Sequence, residues 1–190
     1  MASVTTNDLR VGMKVEVDRE PYLILINEFV KPGKGQAFNR VKMKNMINGR
    51  VVEKTYKSGE KLDTADIEET QMRFLYKEAD GAVFMDDKSF DQITIPNNLM
   101  GDNQQWLMEE TPFQVVFYKG TVIEITPPTF MEMVVTETSP GVRGDTSGRV
   151  LKPSVTETGA KIPIPIFIEE GEKIKVDTRT CEYVSRASEK

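Results

Sequence analysis

Histidine is absent from this chain of 190 residues, and that absence excludes much chemistry. Histidine is the usual general base near neutral pH, the usual partner of serine or cysteine nucleophiles and a common zinc ligand. Because the chain has one cysteine as well, a zinc site would have to rest mainly on carboxylates. The absence of histidine therefore argues against a hydrolase and against a zinc protein.

Disulfides and long apolar segments are also lacking. Cys181 is the single cysteine, so it forms no internal disulfide, which agrees with a reducing compartment. No apolar run approaches the roughly 18 to 20 residues needed to span a bilayer, and residues 1–10 lack the basic-then-apolar layout of a signal peptide. We predict a cytoplasmic protein that makes no membrane contact.

The composition that remains is ordinary for a folded protein. Charged residues make up 29% and hydrophobic residues 38% of the chain, which is typical of globular domains and not of disorder. The formal net charge is −5, and it is unevenly distributed along the chain. Residues 1–64 carry an excess of basic residues, residues 65–128 are strongly acidic, and residues 129–190 are nearly balanced.

Residues 31–52 concentrate the basic charge and contain no acidic residue. The basic residues of this run are Lys31, Lys34, Arg40, Lys42, Lys44 and Arg50. Lysines on exposed strands discourage aggregation between edges, so a solvated strand pair is one interpretation. The other is a surface that contacts phosphates, with the acidic middle segment held away from them.

Alternation of apolar and polar residues predicts strands along most of the chain. Period-two runs occupy residues 14–17, 41–44 and 173–176, and longer β-branched runs, predicted to be buried on both faces, occupy 22–26, 113–118, 121–125 and 162–168. Pro163 and Pro165 place the last of these at a sheet edge or in a bulge. Turn signals recur about every ten residues, which is typical of small barrels or sandwiches. The only helical candidates are short, at residues 89–93 and 103–110.

Two boundaries divide the chain into segments of similar size. One lies in the polar stretch 58–69, and the other at residues 126–128, where two prolines interrupt any strand pairing. We predict three domains, residues 1–64, 65–128 and 129–190. Domains of that size bury only about 60% of their unfolded surface, so we expect them to support one another.

Residues 29–38 lie between two strand signals and are predicted to form a hairpin loop. Pro32 stiffens the approach, and Gly33 and Gly35 leave Lys34 without neighbouring side chains, so its ammonium projects from a tip whose backbone can approach another surface. Strands of about eight residues, at about 3.3 Å each, would hold the amine roughly 25 Å from the hairpin base. The tip is predicted to reach a partner.

Three other interpretations of Lys34 remain open. It is first an exposed lysine in a turn, which is common. The Gly-Lys-Gly run hints at a phosphate loop but lacks the Gly-Lys-Ser/Thr ending and the following helix. A Schiff-base lysine normally needs burial, whereas an open tip is solvated.

The tip resembles the modification loop of bacterial elongation factor P. Further segments resemble the same family in the same order, namely residues 52–58, 101–103 with Trp106, 140–146, 176–179 and 182–186. The resemblance therefore covers essentially the whole chain. It implies an all-β fold in which an N-terminal SH3-like (KOW-type) barrel precedes two OB-folds, in an L-shaped, tRNA-like molecule.

The family resemblance also implies a role in translation. Members bind the 70S ribosome beside peptidyl-tRNA, contact ribosomal RNA and promote peptide-bond formation at stalling sequences such as consecutive prolines. Lys34 matches the loop lysine that a modifying enzyme lengthens, commonly with a β-lysyl group. Some members carry a modified arginine where this chain has Pro32, so the proline favours the lysine-modified subgroup. We expect a monomer that is not an enzyme and holds neither a metal ion nor a cofactor.

The resemblance assigns contacts to further residues. Expected contacts to tRNA or ribosomal RNA are Lys31, Pro32, Gly33, Gly35, Arg40, Lys42 and Lys44, although Lys42 and Lys44 serve equally well as solvated strand residues. Expected contacts to an exit-site mRNA codon or the small subunit are Gly144, Asp145, Thr146, Tyr183 and Arg186. An ordinary turn, a buried tyrosine and a surface arginine are the alternatives for this second set. Cys181 replaces a frequent glycine and disfavours a turn with positive φ.

Two rivals of different class remain. A general RNA-binding or RNA-chaperone protein of OB type would use the same basic face with stacked aromatics and would need Lys34 little. An enzyme that uses Lys34 covalently would form an imine that borohydride traps. A paralogue similar to elongation factor P is a third possibility, but such relatives tend to lack the motif of residues 31–35.

Overall fold

The first six strands form one antiparallel sheet in the computed structural model, which describes residues 2–140 and 150–187. They are β1 (Ser3–Thr5), β2 (Lys14–Val17), β3 (Glu20–Val30), β4 (Phe38–Asn45), β5 (Val51–Lys57) and β6 (Lys61–Thr64), in the order β1-β6-β2-β3-β4-β5. Alternate residues of β2, β3 and β4 point inward, so Val15, Ile24, Val41 and Met43 are fully buried. This core holds the base of the hairpin that β3 and β4 form.

The next five strands form a second sheet. They are β7 (Ile67–Lys77), β8 (Gly81–Asp86), β9 (Gln92–Pro96), β10 (Pro112–Tyr118) and β11 (Thr121–Thr126), in the order β11-β10-β7-β8-β9. The ring centroid of Phe84 lies 5.6 Å from that of Phe74 and 5.4 Å from that of Phe113. A four-residue helix, α1 (Asn97–Met100), and a 3-10 turn (Gly101–Trp106) follow β9, and Trp106 is buried.

The last five strands form a third sheet. They are β12 (Phe130–Thr138), β13 (Leu151–Thr156), β14 (Lys161–Pro165), β15 (Lys173–Asp177) and β16 (Glu182–Arg186), in the order β14-β13-β12-β15-β16. Met133, Ile162 and Ile174 are at the centre of its core. β14 lies at the end of this order, which confirms the edge position predicted from its prolines.

The chain forms two compact units. The first contains residues 1–70 and 115–124, and the second contains residues 71–114 and 125–190. The first unit therefore includes the whole first sheet, the beginning of β7, and most of β10 and β11 with the turn between them. Within the described residues, no helix has the length and apolar character needed to cross a membrane.

The structure corrects several local predictions. Residues 89–93 are not helical: the Asp86 carboxylate accepts hydrogen bonds from the amides of Lys88 and Ser89, and Phe90 has φ of 61°, so a turn leads into β9. The helical candidate at 103–110 is reduced to the 3-10 turn that ends at Trp106. Two runs predicted to be buried on both faces are not: Ile26 is exposed in residues 22–26, and only Ile125 is buried in residues 121–125, because β11 is an edge strand. The strand predicted over 162–168 ends at Pro165.

Candidate functional site: the Lys34 hairpin

The hairpin of β3 and β4 is paired almost to its tip. Antiparallel pairing runs from Tyr22 opposite Asn45 to Val30 opposite Phe38, with one irregularity between Ile24 and Ile26. Seven residues, 31–37, connect the two strands. The stem therefore carries the loop on paired strands instead of leaving it as a long free segment, and the pairing is regular from Ile26 to Val30.

Lys34 lies in the middle of this loop and is exposed. Gly35 has φ of 127°, a conformation that L side chains rarely adopt, and a Cβ there would lie 3.5 Å from Cγ of Pro32. Gly33 has nothing within 4 Å of the position where a Cβ would be. The two glycines thus differ: Gly35 is required by the backbone, whereas Gly33 leaves open space beside the lysine.

The basic residues of β4 share one face of the sheet. The strand alternates strictly, with Asn39, Val41, Met43 and Asn45 buried, and with the three cations on the opposite face exposed. These cations are Arg40, Lys42 and Lys44. The structure therefore brings together the basic residues that sequence patterning placed on an outer strand face.

Arg40 forms ion pairs with two carboxylates. Its Nη1 lies 3.5 Å from Oε2 of Glu28 on β3, and its Nε lies 3.7 Å from Oε1 of Glu53 on β5. The acid-free run of sequence is therefore not an acid-free surface, because strand pairing adds carboxylates from outside the run. Among the described residues no ion pair involves the other basic residues of the tip and face, Lys31, Lys34, Lys42 and Lys44.

The predicted second contact region is only partly described. Gly144, Asp145 and Thr146 lie outside the described residues, so their assigned contacts remain predictions. Tyr183 is half-buried and pairs with Val176.

Arg186 is exposed but already has protein partners. Its Nη2 lies 3.0 Å from Oε1 of Glu172, and the same nitrogen donates a 3.3 Å hydrogen bond to the carbonyl of Phe167. Its guanidinium carbon also lies 5.1 Å from the centre of the Phe167 ring. Its side chain is thus held against the protein, in contrast with the unpaired lysines of the hairpin.

Cys181 keeps a positive φ despite its side chain. Its φ is 57° in the turn between β15 and β16. The turn therefore has the positive φ that we expected a cysteine to disfavour. The turn is held by Asp177, which accepts hydrogen bonds from the amide and the guanidinium of Arg179. Those bonds lower the pKa of Asp177 to about 2, the side-chain bond from Arg179 being the largest cause.

Comparison with known families accounts for nearly the whole chain. Residues 5–62 match the elongation factor P (EF-P) KOW-like domain, residues 67–125 match the EF-P OB domain, and residues 131–186 match the family described as elongation factor P, C-terminal. Together with the three sheets, these matches confirm the predicted all-β fold with a KOW-type first barrel.

Curated relatives are similar along their full length. The chain is 62% identical to "Elongation factor P 2" of Protochlamydia amoebophila over 189 residues, which cover 99% of this chain and 100% of the relative. Proteins with the same name from Chlamydia caviae and Chlamydia trachomatis are 59% identical over the same share of each chain.

Solved structures show the same fold at lower identity. "Eukaryotic translation initiation factor 5A" from Methanococcus jannaschii aligns with a TM-score of 0.56 and 22% identity, covering 66% of this chain and 92% of that one. A translation initiation factor eif-5a family protein from Naegleria fowleri aligns with a TM-score of 0.53 and 15% identity, covering 66% of this chain and 97% of that one. The sequence matches, which extend over almost every residue, place this chain in the elongation factor P family.

Proposed function

We propose that this chain binds the ribosome beside peptidyl-tRNA and promotes peptide-bond formation at stalling sequences such as consecutive prolines, through Lys34. The observation that carries the proposal is the position of this lysine: it is exposed, in the middle of a seven-residue loop, at the end of a stem that is paired up to Val30 and Phe38. A cation held there can reach a site that a globular surface cannot enter.

The proposed mechanism is positioning without participation in the chemistry. A modifying enzyme lengthens Lys34, for which its exposure gives access, and the longer cation contacts phosphate and sugar at the end of the peptidyl-tRNA. Holding a poorly reactive prolyl group in productive geometry reduces the orientational freedom that must be lost in the transition state. A β-lysyl group is the modification we propose.

The remaining basic residues of the hairpin supply phosphate contacts that carry no sequence information. We assign this role to Lys31, Lys42 and Lys44, and in part to Arg40, whose charge two carboxylates offset. We further propose a cytoplasmic monomer, without enzymatic activity of its own, with domains at residues 1–64, 65–128 and 129–190. The three family matches support that division. The third domain would contact ribosomal RNA or an exit-site mRNA codon.

The test is synthesis of a peptide with three consecutive prolines on purified ribosomes. Protein purified from its native source is compared with Lys34→Ala and with Lys161→Ala, a matched variant that removes an exposed lysine from the edge strand β14. We expect the native protein and Lys161→Ala to relieve the stall equally, and Lys34→Ala to relieve it little. Equal rates with and without the native protein would refute the proposed function.

A further inference from the structure

A buried threonine connects the hairpin to the rest of the first sheet. Thr6 is fully buried, and its amide donates a 2.8 Å hydrogen bond to the carbonyl of Glu60. Its hydroxyl donates to the carbonyl of Lys57 at 3.0 Å and accepts from the amide of Gly59 at 3.0 Å. Residue 6 is therefore fixed on the turn that follows β5.

Two asparagines of the hairpin stem bind the carbonyl of Thr6. Nδ2 of Asn27, on β3, lies 2.9 Å from this oxygen, and Nδ2 of Asn39, on β4, lies 3.1 Å from it. Asn39 also donates to Oδ1 of Asn27 at 3.1 Å, and Asn27 donates to the carbonyl of Leu9 at 3.0 Å. Both strands of the stem are thus fastened to one segment, residues 6–9.

On β3 and β4 these bonds lie between the last fully buried apolar residues and the loop. Asn27 is opposite Val41, which is fully buried, whereas Asn39 is opposite Phe29, whose side chain is exposed. Only the pair of Val30 and Phe38 separates this level from the loop. On β3 and β4 the asparagine bonds therefore continue the support of the stem beyond the last fully buried apolar residues, beside Tyr56, which β5 contributes to the core opposite Asn39.

The same turn also holds the far end of the loop. The amide of Ser58 donates a 3.1 Å hydrogen bond to the carbonyl of Ala37, the last loop residue. Because Thr6 binds Lys57 and Gly59 on either side of Ser58, one hydrogen-bonded group supports both the stem and the loop. Residues 52–58, a family motif with no assigned role so far, supply part of this group.

The stability of the fold alone does not explain why a polar residue occupies the buried position 39. Its Oδ1 and the hydroxyl of Tyr56, its partner across β4 and β5, are buried and have no hydrogen-bond partner in the described part of the chain. A buried polar group without a hydrogen-bond partner destabilises the folded state, because its bonds to water are lost and not replaced. The burial that isolates it also raises the pKa of Tyr56. An aliphatic side chain at position 39 would avoid part of this cost.

We propose that Asn27, Asn39 and Thr6 are positioning residues that fix the direction of the Lys34 tip. Three stem residues beyond Val41 and the loop together make a lever of roughly 15 Å at about 3.3 Å per residue. A swing of about 10° at its base would move the tip by roughly 3 Å, and a misplacement of 1 Å can cost a reaction about 100-fold. The inference rests on the proposed function, because it explains how the lysine is aimed.

The first test measures the direction of the tip without the ribosome. Spin labels at Lys34→Cys and Lys61→Cys, in a Cys181→Ser background, report the distance distribution between the tip and β6 by double electron–electron resonance. We expect Asn39→Leu to broaden this distribution and Asn27→Ala, at a half-buried position, to do the same with less risk to folding. Asn45→Leu is the matched control, since Asn45 is equally buried on the same face at the other end of β4.

The second test uses the tri-proline assay with Lys34 in place. A positioning role predicts that Asn39→Leu lowers the rate at saturating factor at least tenfold, with little change in the half-saturating concentration, and that it has no further effect in a Lys34→Ala background. Asn45→Leu lowers the melting temperature but keeps the saturating rate. If the parent is active and both Asn39→Leu and Asn27→Ala match it in rate and distance distribution, the positioning role is refuted while the proposed function stands. An inactive parent refutes the proposed function itself.

Discussion

The hydroxyl of Tyr118 donates a 2.7 Å hydrogen bond to Oε2 of Glu16, although the two residues are 102 positions apart in the sequence. Nζ of Lys119 lies 2.9 Å from the same carboxylate oxygen. Glu16 belongs to β2, whereas Tyr118 ends β10, and all three residues belong to the first compact unit. These contacts fasten the turn between β10 and β11 to the sheet that carries the Lys34 hairpin.

The Glu16 contacts predict a pH-dependent contribution to stability. The hydrogen bonds from Lys119 and then Tyr118 lower the pKa of Glu16 below its ordinary value of 4.5. A carboxyl with a depressed pKa in the folded state stabilises the fold fully above its unfolded pKa and loses that contribution as pH falls through the folded value. The difference in unfolding free energy between the parent and Glu16→Gln should therefore be constant above about pH 5 and shrink below pH 4.5.

Urea unfolding at several pH values from 7 to 3 checks this prediction. Tyr118→Phe removes one of the two donors to Glu16. The difference in unfolding free energy between the parent and Tyr118→Phe should be smaller than that for Glu16→Gln and should shrink over the same pH range. A difference between parent and Glu16→Gln that stayed constant down to pH 3 would contradict the role assigned to the carboxylate.

Replacement of Cys181 by glycine should stabilise the protein. The φ of 57° at Cys181 costs an L-residue about 1–2 kcal/mol, which exceeds the roughly 0.5–1 kcal/mol that glycine loses in backbone entropy. We expect Cys181→Gly to raise the unfolding free energy by about 0.5–1 kcal/mol, measured by urea titration. Cys181→Ala keeps the strain and should give no gain. Equal effects of the two variants would point to the lost thiol instead of the backbone.

The two glycines beside Lys34 should respond differently to substitution. Gly35→Ala forces a side chain onto a φ of 127°, 3.5 Å from Pro32 Cγ, at a cost of about 1–3 kcal/mol unless the loop rearranges. Gly33→Ala meets nothing within 4 Å. In the tri-proline assay Gly35→Ala should lose most of the stimulation, whereas Gly33→Ala should retain it. Similar losses in both variants would mean that close backbone approach, and not loop conformation, requires the glycines.

The charges of β4 should contribute unequally to ribosome binding. Arg40 is offset by Glu28 and Glu53, whereas Lys42 is exposed without an ion pair among the described residues. Lys42→Ala should therefore weaken binding more than Arg40→Ala, and should lower the slope of log affinity against log salt by about 0.7–0.9, the value for one lost phosphate contact. Binding measured over a range of KCl concentrations tests this order. A larger slope change for Arg40→Ala would show that Arg40 leaves its carboxylates on the ribosome.

Local patterning was enough to predict most of the fold. The alternation of β4 identified both its buried side and its basic side, and the two prolines of β14 identified an edge strand. The residues of the hairpin tip could be chosen from sequence because Pro32, Gly33, Lys34 and Gly35 are neighbours in the chain. Such features depend on a few adjacent residues, which a sequence displays directly.

Features made by pairing of distant residues could not be predicted in the same way. Glu28 and Glu53 reach Arg40 only because β3 and β5 flank β4 in this register. In the sequence Asn27 and Asn39 are ordinary polar residues of strands. Only the fold shows that both donate hydrogen bonds to the carbonyl of Thr6. A polar residue at an inward position of an alternating strand was the one available signal, since Asn39 occupies a site where the pattern calls for an apolar side chain.

The most direct test of the central claim locates the Lys34 tip on the ribosome. An iron chelate attached at Lys34→Cys, in the Cys181→Ser background, generates hydroxyl radicals that cleave nearby RNA in a ribosome stalled with peptidyl-prolyl-tRNA. We predict cleavage at the 3′ end of the peptidyl-tRNA, and none there from a chelate attached at Lys161→Cys. Equal cleavage from both positions, or no cleavage of that end from position 34, would contradict the claim that Lys34 acts beside the reacting bond.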